Sequence, residues 1–368
     1  MSAENVGSGM GLKDLAHSLF GALDEKNFAN PLALPATERV CFLLVDGLGA
    51  QALNKHAQYA PNLAALQNFS TLNTTFPSTT ATALATLGTG EFPGSHGMLG
   101  YTVRVPHSGN PGRLINALKW DERVDPVLWQ KSETLYEKAA HYGITSSYIA
   151  AKRYEGTGFT RATLRGAKYL GANRFDEVVE NARISLANPQ SFSYLYVNNV
   201  DNAGHNDGVG SQKWIDALLL VDGLVKDLLT VLPPGTSFYL SADHGMINSD
   251  DLCILGQENP LMQDVTLVGG EPRARHIYTR ESSASDVAER YREFFGKKAD
   301  IYTKDDVVNL FGVATEHATE RMGDVIVVPY DNLLLIDPER VKQETSMVGH
   351  HGGTTPLEVE IPLLGFNL

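Results

Sequence analysis

Cysteine is nearly absent from this 368-residue chain, with Cys41 and Cys253 the only two. A disulfide framework is thereby excluded as what holds the fold together, and Cys41, inside an apolar run, reads as a small buried hydrophobe. Positive charge is also short, at 30 Lys and Arg against 43 Asp and Glu for a net charge of −13. No basic surface for general nucleic-acid binding is expected. An anionic phosphate ester stays admissible as substrate, because bound cations can reverse the local field. Long hydrophobic runs are missing too, since Val40–Val45 is far too short to span a bilayer. The opening residues lack a basic stretch followed by an apolar one, so no secretory signal, no membrane partner and a cytoplasmic location are expected. What is present, 43% hydrophobic and 20% charged residues, suits a packed globular chain with a sizeable core.

Along the chain, an amphipathic helix at Leu12–Leu23 and a Pro-containing lead-in form an N-terminal extension over residues 1–35, ahead of a catalytic unit over 36–368. Arg39–Val45, apolar and ending in Asp46-Gly47, reads as a central strand of a parallel sheet. Helix and strand patterns then alternate: a helix at Ser132–Tyr142 and a strand at Ile144–Ala150, a helix at Phe175–Ala187 and a strand at Phe192–Val197, a long helix at Gln212–Val231 and a strand at Ser237–Leu240. This alternation predicts an α/β fold, a mostly parallel sheet with helices on both faces. A more polar stretch from about Ser249 to Arg321 reads as an inserted small lobe.

Ligands bind beyond the carboxyl ends of strands in such sheets, and metal-binding residue types fall there. Asp46 ends the first strand, Asp201 and His205 follow the strand SYLYV, Asp243 and His244 close SFYLSADHGM, and His350-His351 lie in VGHHGG. Singly, each has a bland reading as a turn or a helix cap. Together, three Asp and three His at strand ends suffice for two sites of the kind Zn²⁺ accepts, and Mn²⁺ or Fe would also fit. In the segment NTTFPSTTATALATLGTG, Thr80–Leu87 starts a helix. A hydroxyl there lies beside free backbone N–H groups and the positive end of the helix dipole, which suits a phosphoryl group. Threonine is a poor nucleophile at neutral pH, and a metal ion is a means of activating it.

These residues resemble the nucleotide pyrophosphatase/phosphodiesterase family of the alkaline phosphatase superfamily. Pro77-Ser78-Thr79-Thr80, then Thr89-Gly90, then Pro93-Gly94-Ser95-His96-Gly97 stand in the family's register, which selects Thr80 as nucleophile, with Thr79 second. Asp201 to His205, Asp243 to Met246 and Gly349 to Gly352 match its later motifs, so the resemblance covers roughly Val40 to Pro362. It implies an alkaline-phosphatase-like fold with two metal ions, one held by Asp201, His205 and His351 and the other by Asp46, Asp243 and His244, with Thr80 bridging toward the latter. His350 is then spare and His96 structural. Asp125-Pro126-Val127-Leu128-Trp129 resembles a segment beside the family's substrate pocket, and Trp129, Tyr154 and Phe159 are candidates to line it, with a core role as the plain alternative.

The implied activity is hydrolysis of phosphodiester or pyrophosphate bonds in a small-molecule phosphate ester or nucleotide, by in-line attack of Thr80 Oγ on phosphorus. The alternatives are a phosphomonoesterase or carbon–phosphorus hydrolase with the same ligands, or an inactive metal-binding relative. One departure stands out. Three residues after the nucleophile the family usually has Asn, a hydrogen-bond donor to a phosphoryl oxygen, where this chain has Ala83. Loss of such a donor costs on the order of 10²-fold in rate unless replaced, with Thr82, Asn198 or Asn199 as candidate replacements.

Overall fold

The computed structural model describes residues 10–367; residues 1–9 of the expected N-terminal extension lie outside them. The elements that place the site are α1 (Leu12–Gly21), β1 (Arg39–Val45), β2 (Gln67–Asn73), α2 (Thr80–Thr89), β3 (Thr145–Ala150), β4 (Lys168–Gly171), α3 (Phe175–Ser185), β5 (Ser191–Val197), α4 (Asn199–Asp207), α5 (Gln212–Val231) and β6 (Thr236–Ser241). Those of the lobe are β7 (Val265–Glu271), β8 (Ala274–Thr279), α6 (Ala284–Phe295), β9 (Ala299–Thr303) and β10 (Val325–Pro329), and β11 (Glu360–Asn367) closes the chain.

The main sheet has the order β2-β11-β6-β1-β5-β3-β4. β6, β1, β5, β3 and β4 pair in parallel, whereas β11 runs antiparallel to both β6 and β2. Every residue of β1, β5 and β6 is buried, as both covered faces of a parallel sheet require. This is the mostly parallel α/β architecture the alternating pattern predicts. Because β1 lies between β5 and β6, the carboxyl ends of three neighbouring strands, about 4.8 Å apart, open side by side.

The polar lobe carries its own four-stranded sheet, β7-β8-β10-β9, around a separate apolar cluster that includes Val287, Tyr291, Val325 and Val327. This sheet takes in Val325–Pro329, beyond Arg321 where the polar composition ends. That run is apolar because β10 is a central strand of the lobe, flanked by β8 and β9. Among the described residues no helix is long and apolar enough to cross a membrane.

Candidate metal centre

Asp46, Asp201 and Asp243 reach one floor from the ends of β1, β5 and β6. The Asp46-Gly47 turn comes so close to α4 that a Cβ at Gly47 (φ +74°) would stand 2.9 Å from the Asp201 Cα; glycine supplies both the space and the positive φ. Asp201 and His205, four apart on α4, share a helix face. His351 comes from the loop that precedes β11, and Thr80 is the first residue of α2, with Thr79 as its N-cap.

Two groups of ligand atoms result. His244 Nε2 lies 3.4 Å from Asp46 Oδ1 and 3.4 Å from Asp243 Oδ2. The Thr80 hydroxyl adds contacts of 3.2 Å to His244 Nε2 and 3.5 Å to Asp46 Oδ1. His205 Nε2 lies 3.3 Å from Asp201 Oδ1 and 3.2 Å from His351 Nε2, which is 3.9 Å from Asp201 Oδ1. A tetrahedral site with bonds of about 2.0–2.1 Å has edges of about 3.3 Å. The His244 and His351 rings stack with centroids 3.7 Å apart, so His244 also comes within 4.8 Å of Asp201 and His351. His205 is the better third member of that second group, because His244 Nε2 already faces two carboxylates.

The donor atoms themselves test whether cations fit. Each ring has its Nδ1 on a carbonyl oxygen: His205 on Gly349 at 2.8 Å, His351 on Ser78 at 2.8 Å and His244 on Gly245 at 3.0 Å. A carbonyl only accepts, so Nδ1 carries the proton and Nε2 presents its lone pair. The short Nε2–carboxylate approaches are then lone pair against lone pair, which a cation between them turns favourable. Asp201 Oδ1 and Asp243 Oδ2 are buried with no hydrogen-bond partner, while Asp243 Oδ1 accepts from the Gly47 and His244 N–H groups. Burial, then the charges of Asp201 and Asp243, hold the Asp46 carboxyl well above its ordinary range. Burial also raises Asp201, and it lowers His351 strongly, helped by His244 and His205. The residues fit two divalent ions.

Above this floor opens a cavity of about 460 Å³. Tyr154 and Phe159 line it, together with Leu84, Leu164 and Asn198. Trp129 does not: it is buried under the Arg321 guanidinium, 3.5 Å from its ring centroid, and edge-on to Trp120. His96 is buried on the Thr86 hydroxyl. His350 lines the cavity with Nε2 on the Met347 carbonyl. Ala83 is fully buried and Thr82 Oγ1 is shut away without a partner, so of the three candidate replacement donors only Asn198 borders the cavity.

Sequence reasoning missed three supports. The Tyr196 hydroxyl donates to Asp46 Oδ2, Ser78 holds the His351 loop, and Glu271 lines the cavity from the lobe. Tyr196 had one available signal, since its strand is the one that delivers Asp201.

The sequence matches the family described as type I phosphodiesterase/nucleotide pyrophosphatase over residues 40–354. Ectonucleotide pyrophosphatase/phosphodiesterase family member 1 of mouse is 27% identical over 217 residues, 55% of this chain and 23% of its own length. The human protein of that name is 26% identical over the same shares, so the chain spans about a quarter of these curated relatives. Murine ectonucleotide pyrophosphatase/phosphodiesterase 5 superposes with a TM-score of 0.70 at 16% identity, covering 90% of this chain and 88% of that one. A second structure is an inactive threonine-to-alanine variant of that murine protein in complex with AMP. The human counterpart gives 0.69 at 17%. These likenesses show that the chain shares the fold of ectonucleotide pyrophosphatase/phosphodiesterase 5.

Proposed function

From the chain's membership of the type I phosphodiesterase/nucleotide pyrophosphatase family, we propose that it hydrolyses phosphodiester or pyrophosphate bonds of small nucleotide-like substrates, with Thr80 as nucleophile. The observation that carries this reading is the Thr80 hydroxyl, 3.2 Å from His244 Nε2 and 3.5 Å from Asp46 Oδ1 on the cavity floor. Asp46, Asp243 and His244 would hold one divalent ion, most simply Zn²⁺, and Asp201, His205 and His351 the other. When bound, such ions lower the pKa of a coordinated hydroxyl and neutralise phosphoryl charge.

The chain's own residues do the rest. Opening α2, Thr80 sits among N–H groups that have no intrahelical acceptor and that attract a phosphoryl oxygen. Tyr196 keeps Asp46 Oδ2 occupied and leaves Oδ1 toward the threonine. Leu84, Phe159 and Leu164 give the cavity an apolar side for the organic part of a substrate. The small-molecule substrate class rests on the cavity of about 460 Å³ above the floor and on the AMP bound by the murine relative.

The test is hydrolysis of a p-nitrophenyl phosphodiester against the corresponding monoester by zinc-loaded protein, with Thr80→Ala alongside. Diester turnover that exceeds monoester turnover and disappears in the variant supports the reading. Monoester preference replaces it with a phosphomonoesterase using the same residues, and absence of turnover with two ions bound leaves metal binding alone.

A further inference from the structure

The inserted lobe reaches the His351 loop through a buried ion pair. Arg273, in the turn between β7 and β8, is fully buried and grips the equally buried Glu358 with a two-point fork, Nε to Oε1 at 3.1 Å and Nη2 to Oε2 at 2.9 Å. Its Nη1 donates to the Leu333 carbonyl at 2.6 Å, which anchors the arginine within the lobe. Glu358 passes the hold onward, since its Oε1 accepts the Gly353 N–H at 2.8 Å and its Oε2 the Thr355 hydroxyl at 2.7 Å. Gly353 is two residues from His351.

The pair of glycines reflects how close this approach is. A Cβ at Gly353 would stand 2.8 Å from Glu358 Oε2 and 3.0 Å from Arg273 Nη2, and one at Gly352 (φ +125°) would stand 2.6 Å from Glu271 Cγ. Side chains of the lobe and of Glu358 thus fill the space in which any larger residue at 352 or 353 would sit. A buried ion pair is weak evidence for stability, because well-packed apolar residues serve as well. What the fork adds is direction: it fixes the height and angle of the turn that presents the His351 ring.

We propose that Arg273 is a positioning residue for the metal ion held by Asp201, His205 and His351, so that the lobe, through Glu358 and Gly353, sets the affinity of that one site. The inference rests on the two-ion reading given above. It assigns the lobe a task in holding the His351 turn; Glu358 meets the residue after His244 only through its backbone carbonyl, which accepts the Gly245 N–H at 2.7 Å, so the side-chain fork bears first on the His351 site.

Zinc titration of the metal-free 368-residue chain, by calorimetry with stoichiometry from elemental analysis, tests it. The wild-type chain is expected to bind two ions. Arg273→Lys keeps the charge and loses the fork; it is expected to weaken one equivalent by about 10–100-fold, the range for groups that orient metal ligands, and to leave the other unchanged. Gly353→Ala, with both charged residues intact, is expected to weaken the same equivalent. Circular dichroism establishes that each variant is folded, and if Arg273→Lys does not fold, Gly353→Ala decides alone. Two wild-type affinities in a folded variant overturn the proposal, as does equal weakening of both equivalents. A wild-type chain that binds fewer than two ions overturns the two-ion reading along with it, which separates the two failures.

Discussion

Ser78 and His351, 273 positions apart in the chain, are joined by the Ser78 carbonyl, which accepts the His351 Nδ1–H at 2.8 Å. The same serine takes the Gly352 N–H on its hydroxyl at 3.0 Å and donates to the Gly353 carbonyl at 2.8 Å. Two residues before Thr80, it ties the loop that leads into α2 to the loop that carries His351. Ser78→Ala is expected to leave the buried Gly352 N–H unpaired and cost about 1–3 kcal/mol in urea unfolding. Turnover should fall with it, since the His351 ring keeps the residue 78 carbonyl but its loop loses the hydroxyl links to Gly352 and Gly353. Unchanged stability in the alanine variant would sink the argument.

Thr80→Ala should lower turnover of a p-nitrophenyl diester by at least roughly 10³-fold, as removal of a nucleophile does. Both zinc equivalents should remain, because the aspartates and histidines that would hold them are untouched. Thr80→Ser keeps the hydroxyl and should retain most of the activity. Steady-state kinetics beside elemental analysis reads both, and full activity in the alanine variant would remove Thr80 from the mechanism.

The strand ends carrying Asp46, Asp201 and Asp243 were legible because a buried parallel strand is a continuous apolar run, and a polar residue that stops it stands out. The helix over Gln212–Val231 was legible for the corresponding reason, a sustained 3.6-residue period. Strand order was not legible: that β5 and β6 flank β1, which brings the three aspartates together, depends on crossovers that leave no local mark. Facing was equally hidden. Ala83 lies three residues beyond Thr80 on α2 yet is fully buried, and Trp129 beside an apparent pocket motif serves Arg321 instead. Ser78, Arg273 and Glu271 act across separations of dozens to hundreds of residues, where composition and periodicity carry no signal.

Removal of metal should destabilise the chain, and more so as pH rises. In the metal-free chain Asp46 and Asp201 have raised pKa values, so the stability they contribute is fully present below the ordinary aspartate value of about 3.9 and is lost as pH climbs through their raised values. Zinc binding must displace those protons and gains as they leave. With zinc at about 100 times its Kd, the stabilisation is about 2.7 kcal/mol. The gap in Tm between zinc-loaded and chelator-treated protein should widen from pH 5 to pH 8; a constant gap would argue against carboxylate ligation.

Burial pushes the Glu271 carboxyl up to about 8 from an ordinary 4.5, with the nearby Glu344 adding to the rise while the Tyr101 N–H and Arg275 oppose it. The folded state therefore holds this proton more tightly than the unfolded one. Stability present below about pH 4.5 should fall as pH rises toward 8, at up to about 1.4 kcal/mol per pH unit. Glu271→Gln keeps an acceptor for the Tyr101 N–H and has no proton to lose, so its stability curve over this window should be flatter. Parallel urea-unfolding curves for the two proteins at pH 5, 6.5 and 8 would show that Glu271 does not titrate in this range.

Position 83, fully buried on α2, does not border the cavity, so the donor expected there from the family resemblance is not one this position is placed to supply; a side-chain donor to a phosphoryl oxygen has to face the cavity. Asn198 borders the cavity and gives one amide hydrogen to the Tyr154 hydroxyl at 3.0 Å. An amide nitrogen carries two hydrogens, so the second is available for a phosphoryl oxygen. Asn198→Ala is expected to cost on the order of 10²-fold in kcat/KM for a diester. Thr82→Val, which replaces a buried and unpartnered hydroxyl by a methyl of the same shape, should leave kcat/KM unchanged and stability equal or higher. Kinetics on the two variants side by side separates the candidates, and a large loss in Thr82→Val with none in Asn198→Ala would reverse the assignment.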